Sequence, residues 1–129
     1  QMALAEFCKE NFNSHVKTLK NKLQKKSEAI CNALDKYFGS SAEYKKPDGG
    51  IFVWVDMHKK VDTSRLYELA LKDGVAINPG NEWSINKSGR HKMRLCFGNP
   101  SIKEIDEGIK LLAIICRKEF GIPTKIANL

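Results

Sequence analysis

Among the residue types able to do chemistry, most stand in patterns that exclude it. His15, His58 and His91 are far apart and form neither H-x-x-x-H nor H-E-x-x-H, so no metal site is expected. Cys8, Cys31, Cys96 and Cys116 make no C-x-x-C or Cys/His ligand pair. Ser14-x-x-Lys17 falls at a helix start without companion motifs, and the nucleophile elbow, the Walker phosphate loop and the G-x-G-x-x-G fingerprint are all absent. What remains is Arg94, in the run Lys92-Met93-Arg94-Leu95-Cys96-Phe97. Alternation turns Met93, Leu95 and Phe97 to one face and Lys92, Arg94 and Cys96 to the other. A guanidinium is a planar, permanently charged fork suited to bidentate recognition of a carboxylate. By spacing alone, a structural or solvent-facing strand arginine is the default reading of the same pattern.

The elements that would position Arg94 can be read from periodicity. Leu4, Phe7 and Cys8 suggest a short helix over 2–10, interrupted at Asn11 to Asn13. Val16, Leu19, Leu23, Ile30, Leu34 and Phe38 then recur at helical steps, predicting a long amphipathic helix with a lysine-rich outer face that Gly39 ends. Pro47-Asp48-Gly49-Gly50 is a turn between a first strand at 41–45 and the continuous apolar run Ile51–Val55, expected to be central and covered on both faces. Asp62 or Thr63 can cap a helix with Leu66, Leu69 and Ala70 inward, stopped by Gly74. Val75–Ile77 reads as a short strand entering the turn Asn78-Pro79-Gly80. Ser101-x-x-Glu104 is a capping-box pattern opening a last helix, stopped by Gly121 and Pro123. The layout is α+β, a small mainly antiparallel sheet with helices packed on one side and a long N-terminal helix. It is expected as one domain over 1–129, with 1–38 the helical lead-in and long helix and 39–129 the sheet and remaining helices.

Composition sets the class. With 42% apolar and 29% charged residues in 129, the chain is an ordinary globular one. A net charge of +7 admits nucleic acid as a partner, but the lysine-rich helix lacks arginines to read base edges and the 51–55 strand lacks basic-aromatic interleaving. No nucleic acid and no membrane are expected as partners. Cys31 and Cys116 within apolar helical patterns suggest reduced thiols and a cytoplasmic location. Gln1 in place of an initiator methionine suggests a segment of something longer.

Taken together and in order, several segments resemble the C-terminal small domain of pyridoxal-phosphate-dependent class I/II (fold type I) aminotransferases. They are Gln1-x-Ala3-Leu4-Ala5-Glu6-Phe7, His15 opening the long helix, Lys46-Pro47-x-Gly49-Gly50-Ile51-Phe52-Val53-Trp54, Gly74-Val75-Ala76 with Pro79-Gly80, Met93-Arg94-Leu95-Cys96-Phe97, and the helix from Ser101. The likeness, nearly chain-long, is to the branch with 2-aminoadipate and kynurenine-type aminotransferases and the aminotransferase-like half of MocR regulators.

The resemblance implies that Arg94 binds the α-carboxylate of an amino-acid or 2-oxo-acid substrate, and that Pro79 and Gly80 lie in a loop near the active site. It implies pyridoxal 5'-phosphate in the parent, held by a large domain preceding Gln1. It also implies ping-pong amino-group transfer and a homodimeric parent. A lysine for the Schiff base, an acidic partner for the pyridinium and phosphate donors are matched by none of the 129 residues, so no catalytic and no cofactor-binding residue is expected here and the isolated chain is expected to be inactive. Departures from the pattern are Leu23 and Lys26, where relatives often show tyrosine and arginine, and Trp83, where phenylalanine is usual. Two other readings stand beside the enzyme: part of the effector domain of a MocR-type regulator, or a free-standing small α+β module that binds acidic metabolites or a protein partner.

Overall fold

The computed structural model describes residues 1–86 and 88–126. Helix α1 spans Met2–Tyr37, and its buried residues begin only at Ser27, so its C-terminal part packs on the body and its first twenty or so residues project. Asn11 to Asn13 do not break it. Asn11 Nδ2 donates to Phe7 O at 3.2 Å and Ser14 Oγ to Asn11 O at 2.9 Å, so the polar side chains bond the helix's own carbonyls rather than an alternative turn. The helix closes at Phe38, followed by Gly39 at φ +51°.

Four strands follow: β1 Ala42–Tyr44, β2 Phe52–Met57, β3 Asn78–Pro79 and β4 Lys92–Cys96, in spatial order β1-β2-β4-β3 and antiparallel throughout. Helix α2, Thr63–Lys72, links β2 to β3, and α3, Ile102–Phe120, follows β4. The 51–55 run is central, as expected, because β2 pairs on both sides. It is not covered on both faces: Val53 and Val55 are buried, whereas Phe52 and Trp54 are 37% and 46% exposed. The predicted strand at Val75–Ile77 is absent, and the bridge falls three residues later. Val75 N donates to Ala70 O at 2.9 Å, so the start of that segment closes the end of α2.

The core is one-sided. Val53, Val55, Met57, Met93 and Leu95 face Ile30 and Leu34 of α1, Leu66 and Ala70 of α2, and Ile105, Ile109 and Leu112 of α3. Apolar burial of this kind contributes on the order of 25 cal/mol per Å², and it fixes the register that turns Arg94 outward. Of the two cap candidates for α2, Asp62 serves, accepting from Ser64 N at 3.0 Å and Arg65 N at 3.2 Å. Thr63 is buried and donates its hydroxyl to Arg90 O at 2.9 Å, tying α2 to the loop before β4.

The capping box of α3 is formed in both directions, Glu104 N to Ser101 Oγ at 3.2 Å and Ser101 N to Glu104 Oε2 at 2.7 Å. Ser101→Ala is expected to destabilise the chain by about 1 kcal/mol in urea titration. The hydrogen bond from Ser101 N holds the Glu104 carboxyl below its ordinary value of 4.5. A depressed folded-state value contributes stability above the ordinary range that is lost as pH falls through the folded one; the backbone N–H persists in Ser101→Ala, so it is the difference between the wild type and Glu104→Gln that should shrink below pH 4.5.

Candidate functional site

The candidate side chains meet on the outward face of the sheet. The register sets Trp54 opposite Arg94 on β2 and β4, Phe52 opposite Cys96, and Asn78 of β3 on the other side of Arg94. Arg94 is half-buried, with its Cζ 4.1 Å from the centre of the Phe52 ring and 4.0 Å from that of Trp83. Trp83 meets Trp54 edge-to-face at 6.4 Å, so both tryptophans of the chain stand at this site.

Trp83 reaches Arg94 because of the backbone between them. Pro79 and Gly80 are buried, and Gly80 begins the 3-10 turn Gly80–Trp83. A Cβ at Gly80 would lie 2.6 Å from Gly89 O and 2.7 Å from Lys92 O. The close approach that this glycine permits is therefore to the backbone ahead of β4, not to an open cleft, and it seats the turn beside Arg94. Ser84 and Ser88 hydroxyls hydrogen-bond each other at 2.7 Å farther along the same loop.

The electrostatics of Arg94 differ from those of Arg65 and Arg90. Arg65 pairs with Glu119 at 3.0 Å and Glu68 at 3.3 Å, and Arg90 with Asp62 at 3.0 Å. Arg94 has no ion pair among the described residues, and its Nε is buried without a hydrogen-bond partner among them. A buried unpaired donor is unfavourable by roughly 1–3 kcal/mol. The terminal Nη donors are not among the buried atoms, and a planar carboxylate meeting them would neutralise the charge through parallel hydrogen bonds.

Lys92 lies on the same face but is held by Asp56 at 3.1 Å, with His91 on the other carboxylate oxygen at 3.3 Å. Lys26 donates to Gly98 O at 2.9 Å and Asn99 O at 3.2 Å, pinning the loop after β4 to α1. Among the described residues no group of three or more His, Cys, Asp or Glu could hold a metal ion.

Sequence reasoning singled out Arg94 as the candidate, and it noted Trp83 as a departure without finding that the ring rests on Arg94. It did not find Phe52 as a partner, because a continuous apolar run reads as covered on both faces. The alternation of Lys92–Phe97 carried over to β2, its neighbour in the sheet, is the signal that exposes Phe52 and Trp54.

The thiols divide by the same geometry. Burial pushes Cys116 up to about 12 and raises Cys31, which also accepts at its carbonyl from Tyr44 Oη at 3.1 Å, whereas Cys96 is exposed on the Arg94 face. Under native conditions a thiol reagent is expected to label Cys96 well before Cys31 or Cys116, read by mass spectrometry of digested samples. A raised folded-state value leaves stability intact below the ordinary 9.0 and removes it as pH climbs toward 12, so the chain should lose stability above pH 9 and a Cys116→Ala variant should lose less of its own.

The family model for class I and II aminotransferases matches residues 1–112. The chain belongs to that family. It is 30% identical over 112 residues to a 2-aminoadipate transaminase of Thermus thermophilus, covering 87% of this chain and 28% of that protein. It is also 30% identical over 119 residues to a helix-turn-helix-type transcriptional regulator, YisV, of Bacillus subtilis, covering 92% of this chain and 24% of that protein. The crystal structure of the Thermus thermophilus α-aminoadipate aminotransferase LysN, complexed with N-(5'-phosphopyridoxyl)-L-leucine, superposes with a TM-score of 0.85 at 29% identity, over 92% of this chain and 30% of that one. The chain thus spans about a quarter of the length of these relatives.

Family membership implies pyridoxal 5'-phosphate. Of the described lysines, the side chains that could carry it covalently, Lys26 and Lys110 are half-buried and the others exposed, and Lys26 donates to two carbonyls.

Proposed function

We propose that this chain is the substrate-recognising C-terminal part of an aminotransferase that moves an amino group between an amino acid and a 2-oxo acid, with Arg94 gripping the α-carboxylate. The observation that carries the reading is the half-buried guanidinium on the outward sheet face, without an ion pair among the described residues and with two rings over it in place of an acidic partner. In the family pyridoxal phosphate supplies the amino-group chemistry when bound, and in this reading polypeptide beyond these 129 residues holds it. The contribution of this chain is orientation. A bidentate grip on one end of the substrate fixes where its amine and α-hydrogen point, which converts random encounter into a positioned one. Pro79 and Gly80 serve the site by shaping the wall that carries Trp83.

The test is a panel of the proteinogenic amino acids as donors with 2-oxoglutarate as acceptor, using the full-length protein. Saturable transamination by at least one donor is the expected result. The 129-residue chain alone should show none, and no borohydride-trappable adduct with pyridoxal phosphate; a specific trapped lysine in this chain would overturn the division of labour proposed here.

The likeness to a transcriptional regulator over 92% of the chain supports a second reading, in which the same grip senses an amino acid and controls a DNA-binding module. A winged-helix region encoded ahead of this segment, with no transamination across the panel, would favour it.

A further inference from the structure

We propose that Trp83, acting with Phe52, is a positioning residue that holds the Arg94 guanidinium by its faces and leaves its terminal Nη donors free for an incoming carboxylate. The inference rests on the carboxylate reading of Arg94 given above and adds the means by which the arginine is kept ready.

An arginine can be held in place by an acidic side chain, but that partner consumes the donors. Arg65 and Arg90 show it, since Arg65 commits Nε and Nη1 to Glu119 and Glu68, and Arg90 commits Nε to Asp62. At Arg94 two aromatic rings, 4.1 and 4.0 Å from Cζ, stand where such partners would be. The ring quadrupole attracts the cation without accepting a conventional hydrogen bond from the fork's edge. Phe52 is fixed by the β2–β4 register, so it forms a rigid wall. Trp83 comes from a loop, and two independent features fix it: the backbone contact between Gly80 and Gly89, and the edge-to-face contact with Trp54. Trp83 is 55% exposed and takes no part in the buried core, so packing of that core does not account for its place. Covering the faces of a guanidinium leaves its in-plane edge as the way in, which favours a planar, bidentate acceptor over a single-point one.

The experiment is side-chain nuclear magnetic resonance of the 15N-labelled 129-residue chain, with the Arg94 Nε–Hε signal assigned by its loss in Arg94→Gln. Propionate is the probe, and propionamide is its uncharged control. In the wild type, the Arg94 Hε signal should lie upfield of those of Arg65, Arg90 and Arg117 through ring currents. It should move back toward them in Trp83→Leu and stay upfield in Trp83→Phe. Propionate, and not propionamide, should shift the signal on titration, and Trp83→Leu should weaken that binding by about three- to tenfold while Trp83→Phe restores it. In an Arg94→Gln background, Trp83→Leu should change nothing further, which a general loss of structure could not mimic.

An Arg94 Hε signal at the position of the other arginines overturns the proposal, as does propionate binding equally to the wild type and Trp83→Leu. In the latter case only the role of Trp83 falls. If the signal is ring-shifted but propionate and propionamide act alike, the carboxylate reading of Arg94 itself falls, and the role of Trp83 with it.

Discussion

Arg94→Gln in the full-length protein is expected to lower kcat/KM for amino-acid donors by about 10²- to 10³-fold, while the bound cofactor's absorbance stays as in the wild type. The magnitude follows from removing one member of a desolvated charge pair, which costs roughly 2–5 kcal/mol in the complex. In the reading proposed above the cofactor signal is unmoved because polypeptide beyond these 129 residues holds the cofactor. Arg94→Lys should recover little, because an ammonium supplies one point of charge where the fork supplies two parallel donors. Stability should not follow activity. Free of ligand, Arg94 leaves a buried Nε unpaired, so replacing it removes a desolvated donor as well as two ring contacts. Thermal unfolding of Arg94→Gln should therefore show a Tm close to that of the wild type, separating a functional loss from a folding defect. Unchanged steady-state kinetics would remove Arg94 from substrate binding.

Much of this arrangement is legible in the sequence, and its legibility follows the range of the interaction. Local chemistry reads well: the Ser101–Glu104 box, the Asp62 cap and the stops at Gly39, Gly74 and Gly121 depend on residues within a turn of one another, and all form. The outward turn of Arg94 also reads correctly, because alternation within β4 is set by Met93 and Leu95 seeking the core. Among the misses, the first is local and the other two arise where a distant part of the chain decides. The asparagines at 11–13 suggest a break by propensity, yet the helix continues through them, since propensity is a weak prior. The 51–55 run is uniformly apolar, and nothing local shows that Phe52 and Trp54 meet a cation and a tryptophan rather than a second helical layer. Trp83 lies eleven residues from Arg94, and its approach requires Gly80 and Gly89 to touch, a contact that no periodicity announces.

That glycine contact supports the second large effect. Gly80→Ala is expected to destabilise the chain by about 1–3 kcal/mol or more, while the same change at Gly108 is expected to stabilise it by about 1 kcal/mol. At Gly80 the added methyl would meet Gly89 O at 2.6 Å, Lys92 O at 2.7 Å and Lys92 Cβ at 2.8 Å, mostly backbone atoms that cannot rotate away. Gly89→Ala makes the reciprocal clash with the backbone of Gly80. Gly108 lies inside α3, and a methyl added there would meet nothing within 4 Å, so alanine gains helix propensity without a steric penalty. Urea unfolding of the three variants should therefore give midpoints on both sides of the wild type. The two destabilised variants should also carry a functional signature that Gly108→Ala lacks. Either methyl forces the 80–83 turn away from β4 and draws Trp83 off the Arg94 guanidinium, so propionate binding should weaken in them even under conditions where the chain is fully folded. Midpoints unchanged at both Gly80 and Gly89 would mean that the two backbones do not touch in solution, and the ring over Arg94 would lose its support.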